Sequence, residues 1–179
     1  MSFNYGSISG LNGKENPGGL GQKIYYAPIS YFTTIEKPDS MSAATAAGDV
    51  AEISAAHAFA ATKFFHTIYN TQLRGKGTFK SVGEVDASGG FYEVEVFIPG
   101  TDVTTQGLLR KLRTEDLLFL LPMADDETVH QIGSELFPAK MMEYEFGTAD
   151  NGAGQRGTVV KLRAFQLGPI NYTGAIVTS

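Results

Sequence analysis

The sequence predicts a mainly β protein, a sandwich or barrel of sheets with one principal flanking α-helix near residues 102–113 and long extended arms and loops. Three observations predict it. FYEVEVFIPG, residues 91–100, alternates with period two: Tyr92, Val94, Val96 and Ile98 fall on one face, and Phe91, Glu93, Glu95 and Phe97 on the other. Residues 139–146 and 157–166 show a similar split on either side of a glycine-rich loop, GTADNGAGQRG. Only TDVTTQGLLRKLRTED, from residue 101, reads clearly as a helix.

Taken in order, residues 1–21 hold six glycines and one proline and bury too little apolar area to order themselves, so they read as an N-terminal arm. Residues 22–179 read as one domain. Within it, QKIYYAPISYF (22–32) is a strand that Pro28 either confines to a sheet edge or interrupts, because proline cannot donate to a ladder. The small-residue stretch 33–57 is too long for an ordinary connection and is expected to be an inter-subunit loop, with a short strand at Val50–Ile53. AFAATKFFHTIYN (58–70) mixes helical and strand signals and leans to strand. Gly75–Val85 and Phe91–Ile98 flank the turn signal ASGG. In the helix, Thr101 or Asp102 can cap the start, Val103, Leu108, Leu109 and Leu112 give an apolar side, and Arg110, Lys111 and Arg113 favour the C-terminal dipole. Gly107 weakens it. Strands at Leu117–Leu121 and Thr128–Ile132 surround a turn at Ala124–Glu127, and PINYTGAIV supplies a last strand.

Composition narrows the functional classes. Charged residues make up 18% of the 179, below the usual quarter, while 21 glycines and many Ala, Ser and Thr suit a surface covered by other protein. A net charge of −5 with scattered Lys and Arg argues against tight nucleic-acid binding. The absence of cysteine removes disulfides, thiolate catalysis and Cys-ligated zinc. MSFNYGSIS lacks the basic-then-apolar pattern of a signal peptide, and the longest apolar run, Leu117–Met123, is too short to span a bilayer, so no membrane insertion is expected.

The chemical inventory is sparse. Glu93 and Glu95 lie on one strand face, roughly 6.6–6.8 Å apart, near the lower end for an inverting carboxylate pair. Any E-x-E strand has that spacing, and a solvated or pore-facing surface explains it more simply. His57, His66 and His130 form no metal-binding helical pair. Asp125, Asp126, Glu127 and His130 sit in a turn, where acids are normally solvated. Asp150-Asn151-Gly152 lacks the remaining ligands of a calcium loop and reads as turn chemistry. The phosphate-loop, dinucleotide and nucleophile-elbow patterns all fail. No catalytic residue, cofactor or metal is expected.

From residue 92 onward the order of signals becomes more specific: a strand ending in FIPG, the capped helix TDVTTQGLLRKLR, LLFLLP, ETVHQIGSELFPAK, then RGTVVKLRAFQLGPINYTGAIV. This order resembles the major tail tube proteins of long-tailed bacteriophages over the last half to two thirds of the chain. The resemblance implies a virion structural protein with no enzymatic activity. Its copies form homo-hexameric rings that stack into a tail tube, contact terminator, tape-measure and distal tail proteins, and conduct DNA during ejection. It implies synthesis in the bacterial cytoplasm and a final place in the virion. A tail terminator or a secretion-system tube subunit shares the fold group. From a different class, a small β-sandwich that binds or hydrolyses carbohydrate would need a groove of exposed aromatics or close carboxylates, and the chain has no Trp. On the tube reading, Glu93, Glu95, Glu143, Glu145, Lys161 and Arg163 are the lumen-facing candidates. An acidic balance among them would keep DNA from sticking.

Overall fold

The structure is a computed structural model that describes residues 7–8, 10, 15–84, 88–100, 102–148 and 154–178. Most of the expected arm, Thr101 and Asp150-Asn151-Gly152 lie outside the described residues. The chain is mainly β with one α-helix. The strands are β1 (Lys23–Pro28), β2 (Phe32–Thr34), β3 (Glu52–Ile53), β4 (Ala58–Phe59), β5 (His66–Tyr69), β6 (Lys76–Val82) and β7 (Gly89–Pro99). The helix α1 (Val103–Leu112) follows, and then β8 (Leu117–Pro122), β9 (Val129–Ile132), β10 (Lys140–Gly147), β11 (Gly157–Gln166) and β12 (Ile170–Tyr172). They form a six-stranded sheet ordered β3-β12-β9-β8-β1-β5, a four-stranded sheet ordered β10-β11-β7-β6, and the small pair β2-β4.

The alternation read from the sequence explains how the sheets meet. Tyr92, Val94, Val96 and Ile98 of β7 and Val160, Leu162 and Ala164 of β11 are all buried. They share one core cluster with Ile24 and Tyr26 of β1, Leu117, Phe119 and Leu121 of β8, and Leu109 and Leu112 of α1. The four-stranded sheet therefore lays its apolar face on the six-stranded sheet, and the helix adds two leucines to that core. β8 runs LLFLLP with its first five residues fully buried, because it sits centrally and is covered on both faces. Its second face, with Leu118 and Leu120, packs with Ala27, Ile53, Phe65 and Tyr172 beneath Phe32 and Phe59 of the β2-β4 pair. Backbone-level fit also sets the start of β7. A Cβ on Gly90 would lie 2.3 Å from the Phe79 ring, and one on Gly89 2.3 Å from the Phe165 ring, so aromatics from both flanking strands close over bare backbone there.

Several expectations shift. The apolar side of β7, which the sequence order turns towards the helix that follows Pro99-Gly100, faces chiefly the six-stranded sheet, with α1 as a smaller part of its cover. β1 is not an edge strand: it pairs with β5 and β8, and Pro28 ends it before a short 3-10 turn, Ile29–Tyr31. The mixed segment 58–70 splits into β4 and β5 around a non-strand stretch in which Thr62 adopts φ 65°. Segment 33–57 is anchored within the chain: Asp39 N–H donates to Asp49 O, Asp49 caps Thr45 and Ala46, β3 pairs with β12, and Glu36 N–H donates to His57; none of these contacts bears on the expected inter-subunit role. Strict alternation through residues 139–146 puts Met141 with Glu143 and Lys140 with Tyr144. A β-bulge between Met141 and Glu143 changes that register. Met141 is buried, Tyr144 packs against the core, and Lys140 joins Glu143 on the opposite face.

Candidate assembly surface

The outer face of the four-stranded sheet brings together all six residues singled out in the sequence. Cross-strand register sets Glu143 against Lys161, Lys161 against Glu95 and Arg163 against Glu93. Glu145 stands beside this set, opposite Val159. Lys161 Nζ lies 2.8 Å from Glu143 Oε2, and Arg163 Nε 3.5 Å from Glu93 Oε1. The Glu143 carboxylate holds the Lys161 amine above its usual pKa range, mainly through that hydrogen bond. The Arg163 guanidinium also lies 3.7 Å over the Phe91 ring, a cation–π contact.

Sequence reasoning missed the contribution of β6. Lys76 stands opposite Glu95, Thr78 opposite Glu93 and Lys80 opposite Phe91. Lys76 Nζ reaches Glu95 Oε2 at 3.5 Å. The signal was present in the alternation KGTFK, but its inward positions are Gly77 and Phe79, and only Phe79 shows as an apolar mark. With Lys76, Lys80 and Lys140 added, five cations meet four carboxylates on this face. The six expected residues keep their acidic balance, four carboxylates to two cations, but the added lysines bring the whole face close to neutral and lace it with ion pairs. It carries an open depression of about 490 Å³ lined by Lys76, Thr78, Glu93, Glu95, Lys161 and Arg163, among others.

As chemistry, the face offers little. Glu93 and Glu95 each have a cation partner, and the Glu93 side chain is 54% exposed. The other polar clusters are structural. Asp125 accepts from the Thr128 N–H and hydroxyl, which hold its carboxyl below the usual range and close the β8–β9 turn. His130 Nδ1 lies 2.7 Å from the Tyr92 hydroxyl, linking the two sheets, and burial pushes that hydroxyl up to about 12. His57 Nε2 lies 2.8 Å from Gln131 Oε1 in the second core. Asn70, fully buried, donates to Gly21 O and accepts from Phe97 N–H. Among the described residues no group of three or more His, Asp or Glu converges as a metal site.

No helix among the described residues is long and apolar enough to cross a membrane. Comparison with protein-family models, with curated proteins and with solved structures found no match to this chain.

Proposed function

We propose that this chain is a structural subunit of a bacteriophage tail tube, which assembles into stacked hexameric rings with the charged face of the four-stranded sheet turned to a central channel. The observation that carries this reading is that sheet. One face is buried against the rest of the subunit, and the other is a wide field of paired charges with no chemistry assembled on it. Its outer strands, β6 and β10, pair with nothing beyond the sheet among the described residues. An unprotected edge of seven or eight residues is normally covered by another strand or by a partner.

A ring of such subunits needs a heterologous interface that closes, and a tube needs a second contact that stays open for stacking. The near-neutral face suits passage of DNA. Phosphate binding is driven by cations free to replace counterions, and here Lys76, Lys161 and Arg163 already face carboxylates. Terminator, tape-measure and distal tail proteins are the partners expected at the tube's ends.

Negative-stain electron microscopy of the purified chain over a range of concentrations tests this. Rings and stacked tubes are expected. Isolated rings that never stack would favour a terminator of the same fold group. A monomer at every concentration would sink the proposal.

A further inference from the structure

His57 is buried at the base of segment 33–57 and is held from several elements at once. Gln131 of β9 donates its side-chain amide to Gly133 O at 3.1 Å, which turns its carbonyl oxygen to the ring. The 2.8 Å contact between that oxygen and His57 Nε2 therefore needs the ring proton on Nε2. Nδ1 is then a bare acceptor, and it takes the Glu36 N–H at 3.0 Å. The His57 backbone N–H donates to the Tyr172 hydroxyl of β12, which itself donates to Ala175 O, and the two rings stack 4.7 Å apart. Phe32 and Phe65 flank the imidazole with uncharged rings. The charged group that acts on it is the Glu36 carboxylate. His130, beside Gln131 on β9, bonds Tyr92 in the other core. Past Glu36 the segment is tied to itself. Among the described residues, the hydrogen bonds of residues 37–50 close within 39–51: Asp39 N–H to Asp49 O, Ala43 and Ala44 N–H to Ser40 O, Thr45 and Ala46 N–H to the Asp49 carboxylate, Ala51 N–H to Gly48 O.

We propose that His57 is a proton-operated latch: neutral, it holds residues 36–50 closed against the fold, and protonated, it releases them. The two ring nitrogens respond unequally. Nε2 already carries a proton, so the added one goes to Nδ1. The bond from Nε2 to Gln131 is unchanged, and β9 keeps its place. At Nδ1 an acceptor becomes a donor and meets a second donor, the Glu36 N–H, inside a buried contact. Glu36 also supplies the replacement. Its carboxylate is close enough to act on the ring, and it accepts the new N–H when residue 36 turns. That turn moves the backbone where the segment leaves the fold. The self-bonded unit 39–50 then swings about Ala51, whose carbonyl is held by the Asn171 N–H. Burial favours the neutral ring and draws its pKa below the ordinary 6.5, against the pull of Glu36. The latch is therefore closed above about pH 6.5 and opens as the pH falls through the lowered folded value. It works inside one chain, whether or not copies assemble.

The chain has no cysteine, so Ala43→Cys, at an exposed position of the segment, takes a single nitroxide label. Its electron paramagnetic resonance spectrum is followed in the full chain from about pH 7.5 to about pH 5. A label on Thr104→Cys, exposed on α1, serves as the reference. The Ala43 label is expected to pass from mainly immobile to mainly mobile below pH 6.5, and the Thr104 label to stay as it is. His57→Asn puts a carbonyl oxygen near the place of Nδ1. It accepts the Glu36 N–H at every pH and should abolish the transition. Glu36→Gln keeps the backbone bond but removes the carboxylate, and should move the transition to lower pH. Far-UV circular dichroism reports whether each variant folds. If His57→Asn does not, the shift in Glu36→Gln decides. An Ala43 spectrum indifferent to pH would overturn the latch. So would a transition that survives His57→Asn, one that Glu36→Gln leaves in place, or one that the Thr104 label shares.

Discussion

At the scale of single residues, two buried polar groups set the fold's weak points. Asn70 stands in for a missing strand. β6 begins opposite Glu95, so the Phe97 N–H has no β6 carbonyl to meet, and the Asn70 side chain accepts it at 3.2 Å. Its amide also holds Gly21. Asn70→Ala leaves a buried donor unmet and is expected to destabilise by about 2 kcal/mol. Urea denaturation measures this, and an unchanged midpoint would refute the role. His57 is a pH-sensitive counterpart. A backbone N–H can only donate, so the bond from Glu36 N–H makes His57 Nδ1 the acceptor and puts the ring proton on Nε2, toward Gln131. The neutral ring is stacked on Tyr172, and burial pushes its pKa below the ordinary 6.5, although Gln131 and the nearby Glu36 carboxylate oppose that shift. His57's contribution to stability is therefore complete above about pH 6.5. It is lost as the pH falls from there toward the lowered folded value, because the unfolded chain takes up the proton first. Burial shifts His130 the same way, with Asp125 opposing. Urea midpoints are expected to fall between pH 7.5 and pH 5.5. His57→Gln should lower the midpoint at pH 7.5 and flatten the slope, and an unaltered slope would exclude His57 as its source.

At the scale of elements, the helix shows what local chemistry fixes. Asp102 Oδ2 accepts from Thr105 N–H at 2.8 Å, and the Thr105 hydroxyl, with that N–H, holds the carboxyl below its usual range. Asp102→Ala removes the cap and is expected to lower Tm by roughly 2–4 °C, with Asp102→Asn near wild type in a melting scan. Equal melting of all three would show that the helix is held by Leu109 and Leu112 alone. Such signals were legible because they are short-range: a cap three residues from its donor, an alternation along one strand, a turn between two runs. β7, α1, β8 and β11 all lie within a residue or two of where the pattern puts them. What stayed hidden depends on partners distant in sequence. The bulge after Met141 is defined against β11, and it moved Lys140 and Met141 to opposite faces from those strict alternation assigns. The lysines of β6 acquire meaning only when Glu93 and Glu95 are seen across from Lys76 and Thr78. Segment 33–57 looks loose in sequence because its anchors are Tyr172 and Gln131, far along the chain.

At the scale of the whole molecule, both ends of the proposed assembly yield tests. The N-terminal arm read from glycine content runs to residue 21, yet Leu20 is buried in the main core opposite Met123, and Gly21 N–H donates to Pro122 O. Removing residues 1–17 is expected to leave the unfolding free energy unchanged while impairing tube growth. Removing residues 1–21 should cost a further 2–4 kcal/mol or so, the loss of a buried leucine. Equal stability of the two truncations would contradict Leu20's place in the core. Normal tubes from the shorter deletion would deny the arm a part in stacking. The charged face makes the sharper prediction. If it lines a channel, the cations are kept from phosphate by the carboxylates beside them rather than by an excess of acid. Glu93→Gln with Glu95→Gln removes the partners of Arg163 and Lys76 without adding a cation. Each copy then offers two released cations to the channel, and the ring multiplies them. Tubes of that variant are expected to retain short duplex DNA in a co-sedimentation assay at low salt and to release it steeply as salt rises, because counterion release drives the binding. Wild-type tubes should retain little under the same conditions. Equal retention by both would mean that the face does not line the space DNA can enter.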